Sequence, residues 1–252
     1  MSGIILRLAG PLQSWGERSA FGERDSAAFP TRSGLIGLLE SAQGHPRGHK
    51  LDDYREVEFT IRVDRPGVRL VDFHTIGGGL PTPWTVPTAA GKRRSEGTAT
   101  IVSRRHYLAD AAFTVAVTGP PPVTGRLAAA LRRPVWAPYL GRRSCPPDAP
   151  LVLCEHIADP VAELLTRVPL ARRRPRDVDT VEVDVIYERP PTSEVRDTAV
   201  LELTDVPETF APRSRRYLTR TLWIQPHRLP ADLCAGRDGT DVLLQYVEGV
   251  AS

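Results

Sequence analysis

His74, His106 and Tyr107, with Arg104 and Arg105 beside them, are the residues of this chain whose types could do chemistry. Together they offer a general base, a general acid and a cation, which is what metal-independent ribonuclease chemistry needs. Nothing in their spacing fixes a second histidine opposite the first, so packed or solvated imidazoles are the favoured account of both. Other chemistries lack their motifs. There is no G-x-S-x-G, H-E-x-x-H, Walker loop or strand-to-helix G-x-G-x-x-G. Gly77-Gly78-Gly79 runs into Leu-Pro, which cannot open a phosphate-cradling helix, and carboxylates are scattered among arginines, which argues against a two-metal nuclease. No cofactor and no metal is expected.

The cations carry more information. Of 33 Lys and Arg residues only Lys50 and Lys92 are lysine. Arg suits forked phosphate contacts and stacking on bases, although GC-rich coding sequence would give the same bulk ratio, so placement decides. Arg32 lies at a helix start, where free backbone N–H groups favour phosphate. Lys92-Arg93-Arg94 tips an insertion, Arg104-Arg105 follows at its base, and Arg142-Arg143 sits in the loop Y-L-G-R-R-S-C-P. Trp15, Trp84 and Tyr107 lie near these clusters and could stack on unpaired bases. Arg172-Arg173-Arg174 falls in a charged break and reads as solvated surface.

The elements that must position these residues alternate strands with short helices. Ile4 to Ala9 has a strand period, with Ile4, Leu6 and Leu8 on a core face and Arg7 on the other. A helix opens at Thr31 or Ser33 and closes at Gly44, its core stripe being Leu35, Leu38, Leu39 and Ala42. Gly34 and Gly37 suggest a close backbone approach there. In Glu56 to Asp64, Val57, Phe59, Ile61 and Val63 point inward, while Glu58, Thr60 and Arg62 point outward. Arg65-Pro66-Gly67 turns into a strand over Val68 to Thr75. Residues 76–99, rich in Gly, Pro and Thr, have no core period. Strands resume at Ile101 to Leu108 and Phe113 to Thr118; a helix capped near Thr124 runs to Pro134, and Leu151 to Cys154 suggests a further strand. Asp159-Pro160 opens a short helix. Strands at Val181 to Tyr187 and Arg216 to Gln225 follow, separated by a loop from Pro190 to Arg196, and the tail from Pro230 is weakly patterned. This order predicts an α+β fold: a split βαβ or ferredoxin-like sheet with helices on one face.

A chain of 252 residues, 41% hydrophobic and 25% charged, can bury a core without staples. Cys145, Cys154 and Cys234 show no C-x-x-C spacing, which argues against disulfides and a zinc site. Cys145 reads as a small packed thiol. The start M-S-G-I-I-L-R-L-A-G has no signal-peptide pattern, and no segment approaches a membrane span, so a cytoplasmic location and no membrane partner are expected.

The segments L-R-L-A-G-P-L-Q-S-W-G, F-P-T-R-S-G-L-I-G-L-L, D-F-H-T, R-H-Y-L-A-D-A-A-F-T-V-A-V and P-Y-L-G-R-R-S-C-P resemble, in that order, the CasD subunits of type I-E Cascade CRISPR surveillance complexes, a branch of the RAMP superfamily. The match is dense over residues 4 to about 154 and thins beyond. The resemblance implies a ferredoxin-like, RRM-related RAMP domain over 1–75 and 105–157, a β-hairpin thumb insertion at 76–104, and a smaller β-rich C-terminal subdomain over 158–252. It implies a non-catalytic subunit that grips the 5′ handle of the CRISPR guide RNA, caps the Cascade backbone filament and contacts the large subunit that reads the target DNA. Carried over by motif, the implied RNA contacts are Gln13, Ser14 and Trp15; Thr31, Arg32 and Ser33; His74 and Thr75; Arg105 and Tyr107; and Arg142, Arg143 and Ser144. Lys92, Arg93, Arg94 and Arg104 join them by position. A guide-precursor endoribonuclease and a purely structural adaptor remain as alternatives.

Overall fold

The protein is described here from a computed structural model, covering residues 2–17, 19–20, 22–88, 90–191, 197–212, 214–236 and 239–251. In chain order its elements are β1 (Ser2–Ala9), β2 (Leu12–Gln13), β3 (Ser19–Ala20), β4 (Glu23–Arg24), α1 (Arg32–Gln43), β5 (Glu58–Arg65), β6 (Val68–Ile76), β7 (Ile101–Ala109), β8 (Ala112–Gly119), α2 (Pro121–Arg132), β9 (Val152–Ile157), α3 (Pro160–Thr166), β10 (Thr180–Tyr187), β11 (Ala199–Thr209), β12 (Arg216–Pro230) and α4 (Thr240–Ala251). Among the described residues no helix is long and apolar enough to cross a membrane.

This is a mixed α+β architecture built on a large antiparallel sheet, ordered β11-β12-β10-β5-β8-β1-β9. β1 lies between β8 and β9, and both of its faces are buried. Ile4, Leu6 and Leu8 pack with Leu35, Leu38 and Leu39 of α1 and Leu127, Ala128 and Leu131 of α2. Ile5 packs on the opposite side with Leu153, with Leu164 of α3 and with Leu243 of α4. Helices therefore cover both faces, not the single face expected, and β1 has no solvated side for Arg7, which is buried.

The same second layer corrects the outward assignment of Arg62. Its guanidinium is fully buried, pairing with Asp64 (Nε to Oδ1 2.6 Å) and donating to the carbonyls of Val168 and Pro169, both at 2.9 Å. Asp64 also accepts from Thr114 Oγ1 and the Ala171 amide. A charge pair whose hydrogen-bonding groups are all met can sit in a core; unpaired, either member would be costly there.

After the turn at Gly67 (φ 73°) the chain leaves the large sheet. β6 pairs along its length with β7, from Val68↔Ala109 to Ile76↔Ile101, and β2 and β4 pair with the other edge of β7. The connection over 77–100 holds short 3-10 turns at Thr82–Trp84 and Glu96–Thr98. α2 begins at Pro121 after Pro120, so Thr124 lies inside the helix and does not cap it. Asp159 caps α3 as expected, its carboxylate accepting from the Ala162 amide. Beyond it, β10 joins β5 through Val185↔Arg62 and Ile186↔Ile61, extending the large sheet. Of the loop expected from Pro190 to Arg196, residues 192–196 lie outside the described residues.

Candidate nucleic-acid interface

α1 forms as its sequence dictates. The Thr31 hydroxyl accepts from the Gly34 amide, and Gly44 ends the helix in the left-handed region at φ 76°. A Cβ on Gly34 would meet Trp15 Cε3 at 2.7 Å, which is the close approach expected there; at Gly37 nothing lies within 4 Å, so that position faces open space instead.

The start of α1 is already occupied. Its Arg32 amide donates to Asp205 Oδ2 at 2.6 Å, so a protein carboxylate fills the place a phosphate would take. The Arg32 side chain is buried: Nη1 pairs with Glu188 at 2.5 Å, Nη2 donates to the carbonyls of Tyr54 (2.6 Å) and Val57 (3.0 Å), and Cζ lies 5.2 Å from the Phe59 ring centroid. Arg220 completes the network, binding Asp205 through Nε (2.6 Å) and Nη2 (2.7 Å) and pairing with Glu188. This corrects the phosphate role expected of Arg32: its side chain ties α1 to β5 and to the chain leaving β10.

The Q-S-W loop is also interior. Gln13 Nε2 donates to the carbonyls of Leu8 and Ala111, both at 2.9 Å, and Gln13 Oε1 accepts from Trp15 Nε1 at 3.0 Å. Gln13 and Trp15 are fully buried, which corrects base stacking by Trp15 and direct contact by Gln13. Ser14 Oγ donates to the His106 carbonyl at 2.9 Å.

The loop Y-L-G-R-R-S-C-P packs against that layer. Gly141 has φ 81°, and a Cβ there would lie 1.8 Å from the Ser14 carbonyl oxygen. Arg142 stacks on Tyr107 with Cζ 5.0 Å from the ring centroid, and Nη2 donates to the Arg24 carbonyl at 3.0 Å. Tyr107 is nearly buried, so the base-stacking face expected of it is taken by a guanidinium. Arg143 and Ser144 are exposed. Cys145 is the packed thiol expected, its pKa raised by burial.

These elements enclose a cavity of about 1270 Å³. Six arginines line it, Arg24, Arg47, Arg105, Arg142, Arg143 and Arg215, against three carboxylates, Glu17, Asp25 and Glu40. Trp136, Tyr139 and Tyr217 also line it, and Trp136 is half exposed. Of the expected contacts, Ser14, Ser33, Arg105, Arg142 and Arg143 gather here together with the buried Trp15 and Thr31, while the buried Gln13 and Arg32 do not line it.

The β6–β7 ribbon carries the remainder. His74 lies opposite Ser103 and His106 opposite Val71. Residues 103 and 106 are an odd number apart, so the two imidazoles project from opposite faces. Each has its own carboxylate: His74 Nδ1 is 3.4 Å from Asp72, and His106 Nε2 is 3.1 Å from Glu23. Arg104, on the His106 face, is 3.7 Å from Glu23, and Thr75 is exposed. In the insertion the Thr88 amide donates to the Lys92 carbonyl (2.8 Å) and Arg93 Nη1 to the Thr85 carbonyl (2.6 Å). Lys92 and Arg93 remain exposed, Arg94 is half buried, and Trp84 is 75% exposed. Arg24, Arg47 and Arg215 were not anticipated: Arg24 and Arg47 are isolated in sequence, Arg215 lies in the run R-S-R-R that was not singled out, and only the tertiary fold collects them.

Comparison with known proteins places this geometry among CRISPR-associated proteins. The model of a family described as CRISPR-associated protein (Cas_Cas5) matches residues 3–222. The CRISPR system Cascade subunit CasD of Escherichia coli (strain K12) is 39% identical over 185 residues, covering 66% of this chain and 77% of that protein. A chain of a solved CRISPR RNA-guided surveillance complex superposes with TM-score 0.88 at 56% identity, over 98% of this chain and 99% of that one. A solved Cas protein superposes with TM-score 0.61 at 28% identity, over 92% and 97% respectively.

Proposed function

Because the chain belongs to the CRISPR-associated Cas5 family and is a CasD-like Cascade subunit, we propose that it holds the 5′ handle of the guide RNA and caps one end of the complex without cleaving RNA. The observation that carries this reading is the arginine-lined cavity. At about 1270 Å³ it exceeds the roughly 300–1,000 Å³ of small-molecule sites, and it combines cations with aromatic side chains, the pairing that binds single-stranded RNA by phosphate contact and stacking. Arg105, Tyr107 and His74 share one face of the β6–β7 ribbon, so a strand leaving the cavity over Arg105 would pass His74 toward Lys92, Arg93 and Arg94, with Thr75 on the opposite face.

The strand order β9-β1-β8-β5, all antiparallel, with α1 following β1 and α2 following β8, supports a ferredoxin-like, RRM-related unit over 1–75 and 105–157. The ribbon and its connection would be the thumb, and 158–252 a C-terminal extension of the sheet. Val68, Val71, Phe73 and Val102 are exposed on that ribbon, which suits a protein neighbour such as the backbone filament subunit. The large subunit and the target DNA would lie beyond, in the cytoplasm. His74 and His106 on opposite ribbon faces favour a non-catalytic role over a guide-precursor endoribonuclease.

Expression with its partner subunits tests the assignment: the purified assembly should bring down a short RNA of one defined 5′ sequence. An assembly that forms fully without RNA bound to this chain would leave only the adaptor role.

A further inference from the structure

We propose that Glu40, His45 and His49 form a binding site for one divalent transition-metal ion of the Zn²⁺ class, on the wall of the arginine-lined cavity. This inference stands apart from the RNA reading, since it rests on the end of α1 and the loop that follows.

Glu40 sits in the last turn of α1, where unpaired carbonyls make the local potential negative, and its carboxylate is nine-tenths buried. A buried carboxylate in that place calls for a cation. Among the described residues no Lys or Arg pairs with it; His45 (Nδ1 to Oε1 3.0 Å), His49 (Nδ1 to Oε2 3.1 Å) and the Tyr54 hydroxyl are among its partners. The two rings stack on one another, their centroids 3.8 Å apart and their planes 26° from parallel.

The residue types and their spacing suit a divalent ion: a carboxylate oxygen of Glu40 and one ring nitrogen of each histidine all lie within 4.8 Å of one another. Zinc bonds of about 2.0–2.2 Å in a tetrahedron put ligand atoms roughly 3.4 Å apart with the ion in the plane of each imidazole, so the two stacked rings must swing apart as the ion enters, which their partly exposed side chains allow. Two imidazole nitrogens and one carboxylate form a recurrent donor set for Zn²⁺, with a further position left open.

The backbone is built to bring these groups together. Gly44 ends the helix, and the His45 amide donates to the Glu40 carbonyl at 3.1 Å, which folds His45 back over Glu40. Gly48, at φ 93°, and the His49 amide's bond to the Pro46 carbonyl return His49 to the same side. The carboxylate is held from behind: Tyr54 donates its hydroxyl to Glu40 Oε1 at 2.9 Å, and Gln43 Nε2 donates to the Tyr54 oxygen at 2.9 Å. Such outer contacts orient metal ligands elsewhere. His45 and His49 both line the cavity, so the open position faces it.

The test is titration of the full-length, EDTA-treated protein with Zn²⁺ against a chromophoric chelator, with Co²⁺ as a spectroscopic probe of coordination. One equivalent should bind, and Co²⁺ should show the visible bands of nitrogen and oxygen ligation. Losing an outer-shell partner weakens metal binding by about 10–100-fold, so His45→Ala with His49→Ala, which removes two direct ligands at partly exposed positions, should weaken it by at least about 100-fold. Circular dichroism should show that variant folded, and His74→Ala should bind as the parent does. Absence of a stoichiometric site, or Zn²⁺ binding unchanged in the double variant, would overturn the proposal.

Discussion

Arg142 lies over the ring of Tyr107, 5.0 Å from its centroid, and donates to the Arg24 carbonyl, whereas its neighbour Arg143 is exposed at the same cavity. The two residues of this pair therefore differ in role. Arg143→Ala should lower the salt dependence of RNA binding by about 1 in slope with little change in stability. Arg142→Ala should loosen the loop as well, lowering the thermal midpoint of the free protein. Filter binding across a salt series and a melting curve measure both effects; equal slopes for parent and Arg143→Ala would remove Arg143 from the contact set.

Arg32 should behave as a structural residue despite its place at a helix start. Replacing it with Met leaves Glu188, among the described residues, with Arg220 and the Phe59 amide as partners, and breaking a buried pair costs about 3–5 kcal/mol. Denaturant unfolding should show that loss, with the salt slope of RNA binding unchanged. Full stability with a reduced slope would instead put Arg32 on the RNA.

Gly141→Ala tests how the arginine loop is held. The added Cβ would fall 1.8 Å from the Ser14 carbonyl oxygen at φ 81°, so the loop must move. A residue forced into that backbone region costs about 1–3 kcal/mol. RNA affinity should fall although every arginine is retained, and affinity equal to the parent's would show that the loop does not bind.

Alkali should unfold the protein through its buried phenols. Burial pushes Tyr187 up to about 12, and burial followed by the Glu40 carboxylate pushes Tyr54 up as well. A folded-state value above the usual 10 means the folded protein holds the proton more tightly than the unfolded chain. Their stabilising contribution is thus full below pH 10 and is lost as pH rises toward 12. Tyrosinate absorbance should rise together with loss of helical circular dichroism; ionisation of all tyrosines near pH 10 in a still-folded protein would contradict this.

Local elements were legible wherever neighbouring residues alone decide them. The caps of α1 and α3, the alternation along Val181, Val183 and Val185 of β10, and the Gly67 turn follow from residue type and spacing. What was not legible depends on distant packing. Arg62 reads as solvent-facing because a buried ion pair has the composition of a surface, so the helical layer formed by α3 and α4 was missed. Trp15 and Arg32 have the right types for RNA contact, yet type carries no information about burial. Arg24, Arg47 and Arg215 come from three remote segments, and no local pattern marks them as neighbours.

The most direct test of the RNA assignment is photo-crosslinking within the assembled complex, with a photoreactive uridine placed at successive positions of the 5′ handle and the attached peptides identified by mass spectrometry. The account predicts crosslinks to the cavity wall, at Trp136, Tyr139, Arg143 and Tyr217. Handle crosslinks confined to other subunits, or to surfaces of this chain remote from the cavity, would contradict it.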